Sequence, residues 1–434
     1  MLEDTLRMDA MEDLAGKKLL VLGATEAEGE IVRCAQKLGV HVVATDNHED
    51  WRLAPAKGIA DEGWDVSWSD MGLLEARCES EGIDGVIAGF SERRVARANE
   101  LAGLLGRPFY AAGSDLAVIQ DKSRFKLACR AVGIDVPRSY RRDEVFDLPV
   151  IVKPSDNGGS RGITVCRNRS LLPVAYEVAV RNSDSGRIEI EEYVVSDEVM
   201  IYYVVHNGKA TLSAMCDRYM RDFDEEATQL PVGYRFPSKH LPLFIERHDA
   251  RFRRLIGHLG IKDGLIAFQS FVVGDRVIPF DPTYRLDGTM AYRFTEAVNG
   301  SNVLAMLIRH SLTGVMGDDD AIDAVERPAF CRPCFELPIL LGRGTIGRVS
   351  GLEEVRASEG VLLVSQRLRE GDRMGKRADF SQIFCRIHLV AHDNDDLEKK
   401  LDRVFRRLEV VDEEGGDMVL YRDAHALAYG EVER

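Results

Sequence analysis

The stretch from Pro149 to Val165, PVIVKPSDNGGSRGITV, is the most informative part of the sequence. An apolar strand ends at Lys153, a loop rich in glycine and serine follows, and a second strand then begins. Because glycine lets a chain turn freely and approach a ligand closely, such a loop can present backbone N–H groups to phosphate oxygens, with the lysine as a neighbouring positive charge. The alternative is a plain β-hairpin with a long loop, since glycine-rich turns are common.

A second polar cluster lies downstream on a predicted hairpin. Gln269 is in an apolar strand, a Gly-Asp turn follows, and Asp281 ends the return strand, with Thr283 and Arg285 directly after it. Residues paired across a hairpin can share one face, so Gln269 and Asp281 are expected to meet. Oxygen ligands at such a place suit Mg²⁺, which keeps several waters and relies on substrate phosphates. The alternative is an ordinary hairpin with a polar tip.

The rest of the chain predicts a mixed α/β architecture. Three short apolar strands near residues 17–22, 40–45 and 85–88 alternate with helical patterns, which predicts parallel pairing in a small α/β domain. Residues 119–133 and 289–314 have helical patterns, and the region between 149 and 285 is rich in strands and contains a further helix at about 245–259. An acidic break at 317–320 precedes short strands and one charged helix at about 394–408.

Composition and charge exclude several classes of protein. The 434 residues carry 72 acidic and 57 basic side chains, a net charge of −15, which disfavours a nucleic-acid partner. No apolar run reaches the roughly 18 residues that cross a bilayer, so no membrane partner is expected. The acidic start, Met1 to Asp4, differs from a basic secretory leader and, with eight scattered cysteines, predicts a cytoplasmic protein with reduced thiols.

Together these motifs resemble the ATP-grasp superfamily over roughly residues 17–315. The order of the motifs matches: an Asp121-Lys122 pair, the lysine and glycine loop, the segment EEYV from Glu191 to Val194, and the polar hairpin. Residues 330–434 resemble the C-terminal domain of the biotin carboxylase-like and L-amino-acid ligase branches. The resemblance implies an α/β (α+β) fold with a Rossmann-like pre-ATP-grasp domain at 1–115, an ATP-grasp domain of two lobes at 116–316 and a C-terminal α+β domain at 327–434.

The resemblance also implies which residues bind ATP. They fall into three groups: Lys122 and Lys153 at the phosphates; Ser155, Gly158, Gly159, Ser160 and Gly162 in the loop above them; and Glu191, Tyr193, Val194 and Glu198 along the adenine and ribose.

The implied metal ligands depart from the usual pattern of the family. Gln269, Asp281 and Thr283 fall on the positions that hold Mg²⁺ or Mn²⁺, where the family usually has Glu, Glu and Asn. Asp281 is then the one anionic protein ligand of the three, so metal affinity is expected to depend more strongly on the ATP phosphates. Arg285 falls on the position of the arginine that steadies the phosphorylated intermediate. Arg285 and Lys153 are the expected catalytic residues.

The resemblance implies a carboxylate–amine ligase. A substrate carboxylate attacks the γ-phosphate to give an acyl phosphate and ADP, and an amine then displaces phosphate. Small-molecule carboxylates and amines are the expected partners, and a homodimer is plausible from the family. Two alternatives stay open: a bicarbonate-activating carboxylase or carbamoyl phosphate synthetase-like half, and a nucleotide-binding protein with reduced or no catalysis.

The substrate-binding residues are less clear from the sequence. Residues 216–240 are dense in charged and aromatic side chains, and Arg218, Tyr219 and Lys239 can grip a carboxylate, since arginine offers a planar donor fork. The alternative is a solvated excursion of the sheet. Arg293 is a further candidate, with a helix-surface role as its alternative. The spacing of Gly342 to Gly347 fits a dinucleotide loop, but no long helix is expected behind it.

Overall fold

The structure, a computed structural model, describes residues 14–111, 113–156, 162–223, 230–317, 326–375 and 380–433, with the side chains of 113–115 left out. The N-terminal strands are β1 (Lys18–Leu22), β2 (His41–Thr45), β3 (Glu62–Trp64) and β4 (Gly85–Ile87). They form a parallel sheet in the order β3-β2-β1-β4. The helices between and after them are α1 (Glu28–Lys37), α2 (Met71–Glu81) and α3 (Glu92–Leu104). The predicted parallel strand–helix–strand arrangement is confirmed.

A capped helix start separates two short helices where the sequence predicted one. The pattern at 119–133 divides into the end of α4 (Gly113–Gln120) and α5 (Lys122–Ala131). Between them the Asp121 carboxylate accepts hydrogen bonds from the backbone N–H groups of Ser123 at 3.0 Å and Arg124 at 3.1 Å. An aspartate in this position satisfies N–H groups that have no partner within the helix. Lys122 is therefore the first residue of α5.

A small antiparallel sheet carries the glycine loop. Its strands are β5 (Ser139–Tyr140), β6 (Val150–Pro154), β7 (Thr164–Cys166) and β8 (Ile188–Glu192), in the order β5-β8-β6-β7. The helix α6 (Leu172–Arg181) precedes β8 in the chain. Because β6 and β7 pair antiparallel, the glycine loop joins two strands of one hairpin. Residues 193–196 then lead from β8 into a second sheet.

An eight-stranded sheet runs through the centre of the molecule. Its strands are β9 (Asp197–His206), β10 (Lys209–Arg221), β11 (Leu230–Phe236), β12 (Gly264–Val273), β13 (Arg276–Tyr284), β14 (Cys334–Leu340), β16 (Val361–Gln366) and β18 (Ile383–Val390). They lie in the order β13-β12-β9-β10-β11-β14-β18-β16. The helices α7 (Leu241–Arg247), α8 (Asp249–His258), α9 (Tyr292–Asn299) and α10 (Val303–Thr313) accompany it. The interpretation of 216–240 as a solvated excursion is wrong for β10 and β11, because both are inner, largely buried strands.

The C-terminal segment continues the same sheet. β14 pairs with β11, so the sheet passes from residues before 317 to residues after 326 without interruption. A three-stranded sheet holds β15 (Gly344–Ser350), β17 (Arg373–Met374) and β19 (Glu409–Asp412), and α11 (Leu352–Arg356), α12 (Asn394–Arg407) and α13 (Ala424–Tyr429) complete the fold. The glycine-rich start of β15 is a strand with no long helix behind it, as expected.

No helix of the described residues has the length and apolar composition needed to cross a bilayer.

Candidate functional site

A cavity of about 680 Å³ lies between the N-terminal helices, the start of α5 and the end of β13. Four residues singled out from the sequence line it: Lys122, Asp281, Thr283 and Arg285. They come from segments more than 150 residues apart in the chain, and the fold brings them to one place. Its size is in the range of cavities that hold small-molecule ligands.

The expected metal ligands share one face of β12 and β13. Gln269 pairs directly with Asp281, as predicted, and Thr283 follows two residues later on the same strand. The Lys122 ammonium lies 3.4 Å from Asp281 Oδ1. Burial opposes the charge on Lys122, but the carboxylates of Asp281, Glu191 and Glu92 together outweigh it, and the net pKa of Lys122 is raised.

The chemistry of this donor set suits a hard cation. An amide, a carboxylate and a hydroxyl offer the oxygen ligands that Mg²⁺ prefers. Within the described parts of the chain, no group of three or more His, Cys, Asp or Glu side chains could hold a metal ion. A cation at Asp281 would therefore rely on neutral oxygens and on the phosphates of a nucleotide for its other ligands.

Arg285 is held in place by the N-terminal domain. Its Nε donates to Glu92 Oε1 at 2.7 Å, its Nη2 donates to the same oxygen, and its Nη1 donates to the Leu286 carbonyl at 2.9 Å. Glu92 is the first residue of α3, and it also lines the cavity. The ion pair fixes the guanidinium beside Asp281 and Thr283. The sequence analysis did not find Glu92, because no local pattern links it to a residue 193 positions later.

Lys153 lies behind the cavity in a cluster of buried charges. Its ammonium is 2.8 Å from Glu191 Oε2, and both residues are almost fully buried. Lys126, one turn after Lys122 on α5, also pairs with Glu191 and lies 2.9 Å from Glu189 Oε2. Two lysines thus face two carboxylates of β8. The sequence analysis missed Lys126 and Glu189, which come from segments 63 residues apart.

Burial and the neighbouring charges shift the pKa values of Lys153 and Glu191 in this ion cluster. Burial lowers the pKa of Lys153, and the ammonium groups of Lys126 and Lys122 lower it further, against the opposing effect of Glu191. Burial would raise the pKa of Glu191, but Lys153 and Lys126 outweigh it and the net pKa is lowered. The two lysines therefore favour the anionic form of Glu191, and leaving this buried anion without a cation would be costly.

The predicted adenine-binding residues lie where the two sheets join. Glu191 directs its side chain into the ion cluster, whereas Tyr193 and Val194 are half-buried in the link from β8 to β9. The Tyr193 N–H donates to the Pro149 carbonyl at 3.3 Å, and the Arg167 guanidinium lies 5.6 Å from the centre of the tyrosine ring. Residues 193–196 therefore connect the two sheets, and their contact with adenine stays a prediction.

The two described ends of the glycine loop, Ser155 and Gly162, contact the segment that begins with the last turn of α6. Ser155 is buried and donates its N–H to the Arg187 carbonyl at 3.1 Å. Gly162 has φ +75°, and a Cβ there would lie 2.5 Å from the Cβ of Asn182, so a larger side chain would not fit. The predicted phosphate-binding residues Gly158, Gly159 and Ser160 lie outside the described residues.

The candidate substrate residues from β10 lie apart from the main cavity. Arg218 forms an ion pair with Glu198, which lies opposite it on β9. Arg218, a candidate to bind a substrate carboxylate, and Glu198, the expected ribose ligand, therefore neutralise each other. These two residues line a separate cavity of about 50 Å³ together with Tyr219 and Lys239, and the Lys239 ammonium is 2.8 Å from Asp197 Oδ2.

Arg293 also lies outside the lining of the main cavity. Its Nη1 donates to Glu296 Oε2 at 2.7 Å on the same helix, α9, and its Nε lies 3.5 Å from Glu30 Oε2 on α1. The structure therefore places it between α9 and the N-terminal domain. The substrate roles of Arg293 and of the β10 residues stay predictions.

Two parts of the chain match known protein families. Residues 136–224 match the family described as D-ala D-ala ligase C-terminus, and residues 339–413 match L-amino acid ligase C-terminal domain 2. The first match covers the small sheet and the strands that follow it, and the second covers most of the C-terminal segment.

Relatives with curated names span part of the chain. The formate-dependent phosphoribosylglycinamide formyltransferase of Pasteurella multocida is 27% identical over 276 residues, which are 60% of this chain and 67% of that relative. The D-alanine–D-alanine ligase of Fusobacterium nucleatum is 30% identical over 142 residues, 31% of this chain and 46% of its own length.

Solved structures match the fold over nearly the whole chain. The L-amino acid ligase of Bacillus licheniformis superposes with a TM-score of 0.76 at 16% identity, covering 92% of this chain and 99% of that structure. N5-carboxyaminoimidazole ribonucleotide synthetase from Thermotoga maritima gives a TM-score of 0.65 at 18% identity, covering 92% and 100%. The chain therefore has the ATP-grasp fold of these structures, and two of its segments match families of ligases.

Proposed function

We propose that this protein is an ATP-dependent ligase that activates a carboxylate as an acyl phosphate and joins it to an amine. The observation that carries the proposal is the meeting of Lys122, Asp281, Thr283 and Arg285 around one cavity, with Lys153 behind it. The names of the relatives agree with this class, since one uses formate and another joins two D-alanine molecules.

The reaction balances in two steps. A carboxylate oxygen forms a bond to the γ-phosphorus while the bond from that phosphorus to the β–γ bridging oxygen breaks, and ADP leaves with the electron pair. An amine nitrogen then attacks the acyl carbon and loses a proton, and phosphate leaves. No nucleophilic side chain is required, so the protein must mainly align the reactants and compensate their charge.

Side chains that line the cavity, together with Lys153 and Gln269, which do not line it, divide this work. Lys122 and Lys153 bind phosphate oxygens, and Arg285, fixed by Glu92, stabilises the charge of the phosphoryl group during transfer. Gln269, Asp281 and Thr283 would hold Mg²⁺, which supplies further charge neutralisation on the phosphates when it is bound. An environment of fixed charges costs little reorganisation as the reaction proceeds.

The first test is ADP release from Mg²⁺-ATP by the purified protein. We expect stimulation by pooled amino acids or small carboxylates together with an amine, and we expect Lys153→Ala to abolish it. Lys262→Ala, at an exposed lysine outside the cavity, is the matched control and should retain full activity.

The other outcomes separate the alternatives. Full activity of Lys153→Ala would defeat the assignment. Stimulation by bicarbonate alone would favour a bicarbonate-activating enzyme. Thermal stabilisation by ATP without turnover of any acid would favour a nucleotide-binding protein, and absence of ATP binding would overturn the proposal as a whole.

A further inference from the structure

Two segments that are far apart in the sequence meet at the edge of the main cavity. One is α3 of the N-terminal domain, and the other is the turn at 182–187 between α6 and β8. The Arg93 Nη2 atom donates to Asp184 Oδ1 at 3.1 Å and to Asp184 Oδ2 at 3.2 Å. Both side chains line the cavity and are largely exposed, so their ion pair lies where the cavity meets the solvent.

The first turn of α3 contacts two other parts of the molecule. Its first residue, Glu92, binds the Arg285 guanidinium directly after β13, in the central sheet. The next residue, Arg93, contacts the turn before β8, which belongs to the small lobe formed by strands β5 to β8 and α6. Consecutive residues of one helix therefore connect the N-terminal domain to the expected catalytic arginine and to the small lobe.

Hydrogen bonds join the turn that carries Asp184 to the end of β6. The Asp156 carboxylate accepts from Ser183 Oγ at 2.7 Å and from the Ser185 N–H at 2.7 Å. It also accepts from the Asp184 N–H at 3.2 Å. Asp156 lies just after β6, the strand that carries Lys153. A movement of the small lobe that displaces Lys153 would therefore also draw Asp184 away from α3.

The strength of such a contact suits a closure that opens easily. An exposed pair of arginine and carboxylate typically shifts an equilibrium by a factor of about five at most, and salt weakens it further. A contact of this strength slows the separation of two parts of a protein without preventing it. Closures of this kind set the rate of product release in many enzymes.

We propose that Arg93 and Asp184 form a latch that slows the entry and the release of nucleotide at the main cavity. The closed pair holds the small lobe against the N-terminal domain, and the two residues must separate before nucleotide passes. Because the latch opposes passage in both directions, it changes the rates of exchange more than the affinity. This inference rests on the proposed nucleotide site and gives a positioning role to two residues that were not predicted from the sequence.

Direct measurement of nucleotide exchange tests the latch. The fluorescent analogue mant-ADP, added with Mg²⁺, reports association in a stopped-flow instrument, and a chase with excess ADP reports dissociation. We expect Arg93→Met to raise both rate constants about two- to fivefold, the range available to an exposed ion pair, and to leave Kd nearly unchanged. Asp184→Asn should have the same effect, and it is the second variant if Arg93→Met does not fold.

Two comparisons separate this ion pair from a general change of charge. Arg97→Met removes an exposed arginine of the same helix, which pairs with Glu100 outside the lining of the cavity, and should leave both rate constants unchanged. The double variant Arg93→Glu/Asp184→Arg restores the pair with reversed charges, so its exchange should be slower than that of either single reversal. In about 0.5 M NaCl the rates of Arg93→Met and wild-type protein should converge, because salt screens the pair.

The other outcomes count against the inference in distinct ways. Unchanged rate constants in both Arg93→Met and Asp184→Asn would overturn the latch and leave the ligase function standing. Weaker binding without faster association would identify the two residues as nucleotide ligands, which also overturns the latch. Exchange in the double variant as fast as in the single reversals would show that the residues do not act as a pair. Wild-type protein that binds neither mant-ADP nor ATP would overturn the proposed function, and this inference with it.

Discussion

Lys126 is a single buried residue on which the proposed phosphate site depends. In the structure it shares Glu191 with Lys153 and donates to Ser139 Oγ at 2.8 Å. A lysine that turns to bind phosphate would leave a buried carboxylate without a cation, which is costly. If Lys126 stays with Glu191, Lys153 can turn to the nucleotide as proposed. We therefore expect Lys126 to act as a positioning residue that touches no substrate itself.

Replacing Lys126 should weaken ATP binding more than it slows the reaction. We expect Lys126→Met to raise the KM for ATP about tenfold or more, because Glu191 then holds Lys153 as its single counter-ion. Lys126→Arg should restore most of the affinity, since it keeps the charge. Initial rates over a range of ATP concentrations measure both constants.

A matched control lies on the same helix. Arg124 is largely exposed, so Arg124→Met should leave the KM near that of the wild-type protein. An unchanged KM in Lys126→Met would mean that Lys153 needs no help to leave Glu191.

The candidate site residues that meet in one cavity belong to motifs with short spacing. Asp281, Thr283 and Arg285 follow one another on a strand, and Lys122 follows an aspartate at a helix start. The residues that were missed, Lys126 among them, act through partners from distant segments. A single sequence has no local signal for such pairs, so their role could be read from the structure alone.

At the scale of elements, the start of α5 decides where Lys122 points. The Asp121 side chain caps this helix and lies 3.0 Å from an Arg187 nitrogen near the glycine loop. The sequence suggested one helix across this position, because apolar residues recur at helical spacing on both sides. The cap interrupts the helix and sets the direction of α5 from its first residue.

Removing this cap should reduce both stability and nucleotide affinity. Asp121→Ala is expected to lower the free energy of unfolding by about 1 kcal/mol, the usual value for a lost N-cap. It should also raise the KM for ATP, because the first turn of α5, which positions Lys122, is no longer capped. Asp70 caps α2 through the Leu73 N–H at 3.2 Å, so Asp70→Ala is the matched control. Urea unfolding and ATP kinetics of both variants test this expectation. If Asp121→Ala and Asp70→Ala change the KM for ATP equally, the Asp121 cap has only a structural role.

Strands buried on both faces explain why β10 and β11 were not predicted. Most residues of these two strands are buried, whichever face they lie on. Alternation of polar and apolar residues, the usual sign of a strand, is therefore absent there. The hairpin of β12 and β13 was predicted correctly, because its turn and its polar end stand out from the apolar runs.

At the scale of the whole molecule, the buried Glu326 side chain links the start of the C-terminal segment to the chain between α9 and α10. It accepts a hydrogen bond from Ser301 Oγ at 2.8 Å, and its other oxygen, Oε2, has no hydrogen-bond partner in the described structure. Burial raises the pKa of Glu326 from 4.5 to about 7. Between these values the folded chain keeps a proton that the unfolded chain has lost.

Stability should therefore fall as pH rises from about 4.5 to 7 through this group. Glu326→Gln removes the charge and keeps the shape, so at pH 8 it should be more stable than the wild-type protein by about 1–3 kcal/mol, with little difference at pH 4.5. Glu246→Gln, at an exposed glutamate, is the control. Thermal or urea unfolding at both pH values measures this, and an equal difference at both would contradict the role of burial.

The continuous central sheet limits how such chains can be recombined. A hybrid with a foreign C-terminal half would have to set its first strand in the register that pairs Tyr234 with Glu336. A slip by one residue would turn every side chain of that strand to the opposite face. The parallel N-terminal sheet is separate from the others in the described residues, so α3 and α4 can be exchanged without breaking a strand pair. Exchange of substrate range between relatives is therefore expected to proceed more readily through the N-terminal half.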